Sequence, residues 1–254
     1  MNYKTIKVEV KGNSCFIQFN RPESNNTISK LLIDECNEVL NMCEESITIV
    51  VFKGLPEVFC FGADFKEVHN KMADGQEQES YSEPLYDLWL KIATGPYITI
   101  ALVCGKANAG GVGFVAACDI VLANDTAVFS LSELLFGLFP ACVLPFLIRR
   151  IGYSKAHYMT LMTKPVSVEQ AYKWGLVDSY GTNGDAQLGK HMLRLRYLSK
   201  KGVKRYKSYM SHLSDFLITS KDTALTANLE IFSDTDNLKG IYRFVDTGQF
   251  PWEN

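Results

Sequence analysis

The sequence lacks the marks of several protein classes. Positive charge is not in excess: Lys and Arg number 26 against 28 Asp and Glu, a formal net charge of -2. Recognition of a nucleic-acid backbone calls for clustered Lys and Arg, so no nucleic-acid partner is expected. Apolar runs are short. The longest, residues 98–104 and 113–118, fall well below the roughly 20 residues that cross a bilayer, and no membrane association is expected. The first residues, Met1-Asn2-Tyr3-Lys4, carry neither the apolar core of a secretory signal nor an Arg-rich leader, so the cytoplasm is the expected location.

No pair among the seven cysteines has CxxC spacing, and most sit in apolar segments, as reduced buried thiols do. His69, His157, His191 and His212 have no metal-ligand spacing. Neither a metal nor a cofactor is implied. No Pro/Ser/Gly-rich linker, like-charge block or fixed-period repeat divides the chain.

What is present is the balance of an ordinary globular protein, 47% hydrophobic and 21% charged residues, enough for a sizeable core, and the order of its elements opens β-β-α-β, as in an α/β protein. Residues 6–10 and 15–19 read as a hairpin around Lys11-Gly12-Asn13. Ile28, Leu32, Cys36, Val39, Leu40 and Cys43 recur at helical spacing and lead to a buried strand over 47–52. Residues 66–83 are polar and read as a mobile helix and loop. A helix over 86–92, a strand over 98–103, a glycine-rich turn, an apolar helix over 110–118 and strands over 120–123 and 128–130 follow. Beyond Glu133 the pattern is mainly helical, notably over 153–161, 168–174 and 188–198.

Two segments carry small residues from a strand end into a helix: Cys60-Phe61-Gly62-Ala63-Asp64 and Lys106-Ala107-Asn108-Ala109-Gly110-Gly111-Val112-Gly113. Such a turn exposes backbone N–H groups at the positive end of a helix, where a developing oxyanion is stabilised. On spacing alone, the second is equally a glycine-rich helix packed closely on a sheet. Glu133, after Ser130-Leu131-Ser132, reads on its own as a solvated helix-start residue. Its neighbours Leu131, Leu134, Leu135, Phe136 and Phe139 would raise its pKa if the segment lined a pocket.

The collinear order of these elements resembles the crotonase (enoyl-CoA hydratase/isomerase) family. The likeness is carried by Arg21-Pro22 with Asn26, Phe61-Gly62-Ala63-Asp64-Phe65, Gly105-Lys106-Ala107 leading to Gly110-Gly111, Ala117-Cys118-Asp119-Ile120, Glu133 with Gly137-Leu138-Phe139-Pro140, and Gly240-Ile241-Tyr242-Arg243-Phe244. It implies a spiral core of repeated β-β-α units over 1–195 and a C-terminal helical region over 196–254 that builds a homo-oligomer, a trimer or paired trimers. It also implies oxyanion-hole amides at Ala63 and Gly110. Two-glutamate hydratases of the family carry acids at the positions of Gly113 and Glu133. Only the second is present here, which suits a proton shuttle or an elimination run by one carboxylate.

Asp64, Gly62 and Gly111 belong to the same motifs and are expected at the substrate. Asn108 stands where the family usually has an apolar residue, and reads either as a substrate ligand or as a turn-stabilising side chain. Tyr86 and Trp89, at i and i+3, read as an acyl-pocket wall or a core stripe, and Cys142 as a buried thiol near the pocket.

Longer stretches, residues 20–28, 55–65, 130–138, 140–152, 157–165 and 247–253, are similar to a subgroup, the PksH-like dehydratases of polyketide β-branching cassettes. That likeness implies a lyase that dehydrates a 3-hydroxy-3-methylglutaryl thioester, carried on the phosphopantetheine of an acyl carrier protein, to the 3-methylglutaconyl thioester. A Δ3,Δ2-enoyl thioester isomerase and a noncatalytic carrier-binding module are the alternatives. An acidic carrier calls for a basic rim, with Lys66, Arg149, Arg150, Lys155, Lys200, Lys201, Lys204 and Arg205 as candidates.

Overall fold

The computed structural model describes residues 3–64, 81–213 and 215–253. The expected polar helix and loop of 66–83 therefore lies, up to residue 80, outside the described residues. β1 (Ile6–Lys11) and β2 (Ser14–Phe19) form the expected antiparallel hairpin. α1 (Lys30–Ser46) starts where the Ser29 side chain accepts a hydrogen bond from Leu32 N–H at 3.3 Å. Its buried face holds Leu32, Cys36, Val39, Leu40 and Cys43 of the expected stripe together with Ile33 and Glu35, while Ile28 precedes the helix.

The chain then sends one strand into each of two sheets, three times over. The pairs are β3 (Ile49–Lys53) with β4 (Val58–Cys60), β5 (Ile98–Val103) with β6 (Lys106–Asn108), and β7 (Ile120–Asn124) with β8 (Val128–Ser130). α2 (Ser82–Thr94) follows the first pair and α3 (Gly110–Ala117) the second. The larger sheet has the order β1-β2-β3-β5-β7-β10 and the smaller β4-β6-β8-β9, where β9 is Val166–Ser167 and β10 is Ser179–Gly181. Pairing is parallel throughout except for β1 on β2 and β9 on β8. β3 and β5 read as nearly unbroken apolar runs because both faces are covered.

The rest is mainly helical: α4 (Leu144–Ile151), α5 (Tyr153–Met162), α6 (Val168–Trp174), α7 (Gly184–Leu195), α8 (Lys200–Leu213), α9 (Phe216–Thr219), α10 (Lys221–Ser233) and α11 (Thr235–Thr247). Among the described residues no helix is long and apolar enough to cross a membrane. Sequence reading takes β6 for a turn and does not foresee β9 or β10. These strands have two or three residues, too few to show a period of two.

An aromatic cluster ties the layers together. Phe19 packs on Phe59 and Phe114, and Trp89 meets Phe114 and Phe146 edge-on at 5.8 and 5.7 Å between ring centres. Helix docking uses several of the cations expected on a carrier-binding rim. Arg149 donates to Ala116 O and Ala117 O at the C-terminus of α3, and Arg150 to Asp119 O and Leu176 O. Lys200 Nζ donates to Ile47 O at 2.6 Å and Pro96 O at 2.7 Å. Lys207, buried, donates to Ala93 O at 2.8 Å and pairs with Asp119. Long cationic side chains reach main-chain carbonyls across helix ends, so Arg149, itself exposed, Arg150 and Lys200 are engaged by the fold, whereas Lys201, Lys204 and Arg205 are exposed. Lys66 lies outside the described residues, and Lys155 stacks over Trp174.

Candidate active site

β4, β6 and β8 run parallel side by side in one sheet, so their C-terminal ends share one edge. They end at Cys60, Asn108 and Ser130, and Ala63, Gly110 and Glu133 follow within three residues. The topology thereby gathers three segments far apart in sequence at the edge where ligands bind in open α/β sheets.

The first segment is held from behind. Ile28 N–H donates to Gly62 O at 2.7 Å, and residues 28 and 63 form an isolated parallel bridge. Asp64 accepts from Arg21 Nη2 at 3.0 Å and from Thr27 Oγ1 at 2.8 Å. The buried Asn26 accepts from Arg21 N–H and donates to Val58 O and Phe59 O. Arg21, Asn26 and Asp64 thus clamp the end of β4. An ideal Cβ on Gly62, at φ +93°, would stand 2.8 Å from Ala109 Cβ, so the first two segments touch where a side chain could not fit.

In the second segment Ala109 has φ 50° and ψ -120°, a strained conformation for a residue with a Cβ, costing about 1–3 kcal/mol. It turns the chain abruptly into α3. Gly110 is the first residue of that helix, so its N–H has no intrahelical acceptor, and Ala109 supplies no side-chain cap. A Cβ on Gly110 would come within 2.7 Å of Ile28 Cδ1, and one on Gly111 within 2.2 Å of Cys60 O.

The third segment is a 3-10 turn, Glu133–Phe136, closed by Gly137 at φ +74°. Asn108 braces it: Ser130 Oγ donates to Asn108 Oδ1 at 2.7 Å, and the Asn108 amide donates to Ser132 Oγ at 3.3 Å. Burial pushes the Glu133 carboxyl from 4.5 up to about 7, against partial relief from its own N–H and that of Ser132. Its Oε2 is buried and has no hydrogen-bond partner among the described residues. A carboxyl so placed can take and return a proton near neutral pH.

All three segments line one cavity of about 230 Å³, with Ala63, Asp64, Asn108, Gly110 and Glu133 on its wall. Among the described residues no group of three or more His, Cys, Asp or Glu is placed to hold a metal.

The Enoyl-CoA hydratase/isomerase family model matches residues 9–254. The chain belongs to the crotonase family. It is 61% identical over 255 residues to the bacillaene synthase dehydratase PksH of Bacillus subtilis, covering 100% of this chain and 98% of that protein. It is 34% identical over 182 residues to the mitochondrial enoyl-CoA hydratase of Pongo abelii, covering 69% of this chain and 61% of that one. The crystal structure described as a putative polyketide biosynthesis enoyl-CoA hydratase (pksH) from Bacillus subtilis superposes with a TM-score of 0.96 at 61% identity, over 98% of this chain and 100% of that one. An enoyl-CoA hydratase from Bacillus halodurans, at 20% identity, superposes with a TM-score of 0.85 over 94% and 99%, which speaks to the fold alone. The expected crotonase fold is therefore the observed one, and the expectation of a crotonase-family lyase agrees with a full-length relative named a dehydratase.

Within this crotonase site the residues named from sequence divide. Ala63, Gly110, Glu133, Asp64 and Asn108 line the cavity, and Cys142 does too, its thiol pushed by burial up to about 12. Tyr86 does not. Its ring is fully buried against Phe146 and its hydroxyl donates to Leu217 O at 2.6 Å, while the cavity wall on α2 is Ser82, Leu85 and Trp89. Gly62 and Gly111 stand behind the wall, where they permit close backbone approach. Sequence reading missed Asn228 and Ser233, which α10 brings to the cavity from a segment with no motif. It also gave no sign of what fills the space beside Gly113. A Cβ there would lie 2.5–2.8 Å from three atoms of the Trp89 ring.

Proposed function

We propose that the chain dehydrates a 3-hydroxy-3-methylglutaryl thioester to the 3-methylglutaconyl thioester. The observation that carries this reading is the lone Glu133 carboxyl, its buried Oε2 without a hydrogen-bond partner among the described residues, in the same cavity as the strand-end amides of Ala63 and Gly110. Ala63 N–H and Gly110 N–H hold the thioester oxygen. Glu133, ionised, takes the proton from C2, and the electron pair moves onto the held oxygen as an enolate. The pair then forms the C2=C3 bond, the C3–O bond breaks, and Glu133 returns its proton to the departing hydroxyl, which leaves as water. Removing one oxyanion-hole donor costs about 2.7–4 kcal/mol in other enzymes. The full-length likeness to a protein named a dehydratase supports elimination over double-bond migration.

The substrate's carrier is the phosphopantetheine of an acyl carrier protein, and the exposed Lys201, Lys204 and Arg205 of α8 offer it a basic surface. The protein works as a homo-oligomer, a trimer or paired trimers. Exposed Tyr153, Tyr158, Leu193, Tyr197, Tyr206 and Leu213 support a covered outer face. The catalytic core spans 1–195 and the assembly region 196–254.

The test is incubation with 3-hydroxy-3-methylglutaryl thioester, on a carrier protein and on CoA, followed by mass. Loss of one water is expected, faster on the carrier. Intact substrate rejects the dehydratase. Migration of the double bond in a 3-enoyl thioester, without water loss from the hydroxyacyl substrate, identifies an isomerase.

A further inference from the structure

Four buried side-chain polar atoms have no hydrogen-bond partner among the described residues: Ser24 Oγ, Tyr97 Oη, Trp89 Nε1 and Glu133 Oε2. The last two belong to residues lining the same cavity, one a donor and the other the proposed proton carrier. Buried polar groups are almost always paired, and those that are not call for an explanation. A tryptophan at 1% exposure whose N–H meets no protein acceptor is held that way by its surroundings. Phe114 and Phe146 grip the ring edge-on, and its Cε2, Cζ2 and Cη2 atoms cover the Cα of Gly113.

The position of the ring matters as much as its unused donor. Cζ2 is 3.7 Å from where a Cβ on Gly110 would stand, so the indole packs against the residue whose amide is proposed to hold the thioester oxygen. It occupies the space that a side chain at residue 113 would need. Two carboxylates, one at that position and one at the Glu133 position, could hold a water between them; here only Glu133 is present. An oxygen on C3 lies only three bonds from the thioester carbon. A distal carboxylate lies further along the chain, away from Gly110.

We propose that Trp89 Nε1–H is a substrate-binding donor that holds the C3 hydroxyl oxygen during its departure, in place of the missing second acid. The inference rests on the dehydratase reading. The indole transfers no proton: Glu133 still supplies it, and the N–H stabilises the negative charge that gathers on oxygen as the C3–O bond breaks. One carboxylate then suffices, because orientation and charge stabilisation of the leaving group come from a neutral donor that cannot itself take the C2 proton.

Trp89→Phe keeps an aromatic ring between Phe114 and Phe146 and deletes the N–H. Wild type and variant are given the 3-hydroxy-3-methylglutaryl thioester in D2O, and two rates are read: entry of deuterium at C2 and release of water. The expected result is a loss of about 10²-fold in water release, with C2 exchange retained and now outpacing elimination. Unchanged water release overturns the proposal, as does a fall of both rates by the same factor, which is the signature of disturbed packing. If Trp89→Phe does not fold, 3-benzothienylalanine at position 89 keeps the shape of the indole without its N–H and is held to the same criteria. Wild type that releases no water rejects the dehydratase reading and this one with it. Active wild type beside an equally active variant rejects only the tryptophan.

Discussion

Gly113 and Trp89 share one space: a Cβ on Gly113 would stand 2.5 Å from Trp89 Cζ2, and the indole is gripped by two phenylalanines. The acid that two-carboxylate hydratases place at this position is excluded here by packing. Gly113→Ala is therefore expected to destabilise by about 1–3 kcal/mol, the range for overpacking a filled core. Gly113→Glu is expected to lose more stability and to gain no hydratase activity, since its carboxylate has no room to reach the cavity. Urea unfolding and an enoyl-thioester hydration assay check the two statements.

Glu133 makes stability fall as pH rises. Its folded pKa is about 7 against 4.5 for an ordinary carboxyl, so the folded state binds the proton more tightly than the unfolded chain. Its contribution is fully present below pH 4.5 and is lost as pH rises through 7. The difference is on the order of 3 kcal/mol at pH 8. Glu133→Gln removes this dependence, and unfolding free energies from pH 5 to 8 are expected to show a flatter curve for the variant. The same ionisation sets activity: elimination needs the carboxylate, so kcat/KM of the wild type rises with pH through about 7.

Gly62 tests the contact between the first two segments. A side chain there meets both φ +93° and Ala109 Cβ at 2.8 Å. Gly62→Ala is expected to cost about 1–3 kcal/mol of stability and to lower kcat more than it raises KM, because it moves the Ala63 and Gly110 amides apart. Steady-state kinetics on one thioester separates the two effects.

Asn108 joins β6 to the Glu133 turn through Ser130 and Ser132. Asn108→Ala is expected to lower stability by about 1–3 kcal/mol by stranding those hydroxyls, and to reduce kcat. The pH midpoint of kcat/KM should stay near 7, since Asn108 is not among the causes of the shift at Glu133. A moved midpoint would give Asn108 an electrostatic role.

Much of this site is legible in the sequence because its parts are local. Small residues between strand and helix mark the two segments, the resemblance to the crotonase family picks Ala63 and Gly110 within them, and the apolar neighbours of Glu133 announce a raised pKa, which burial produces. Gly113 is legible as an absence. What fills that absence is not, because Trp89 reaches it through tertiary packing between α2 and α3. Spacing at i and i+3 marks one face of α2 without saying which neighbour that face meets. Tyr86 accordingly turns into the core toward Leu217 while Leu85 and Trp89 meet the cavity. Charge on a helix misleads in the same way: Lys200 and Arg149 read as rim cations, yet main-chain carbonyls take them. Asn228 and Ser233 arrive from a helix with no motif, and only the docking of α10 brings them to the cavity.

The most direct test of the account is turnover of Glu133→Gln on the carrier-bound 3-hydroxy-3-methylglutaryl thioester, read by mass as loss of water. With the fold intact by circular dichroism, the variant is expected to lose about 10²-fold or more in kcat and to exchange no deuterium at C2. A folded variant that eliminates water near the wild-type rate would contradict it.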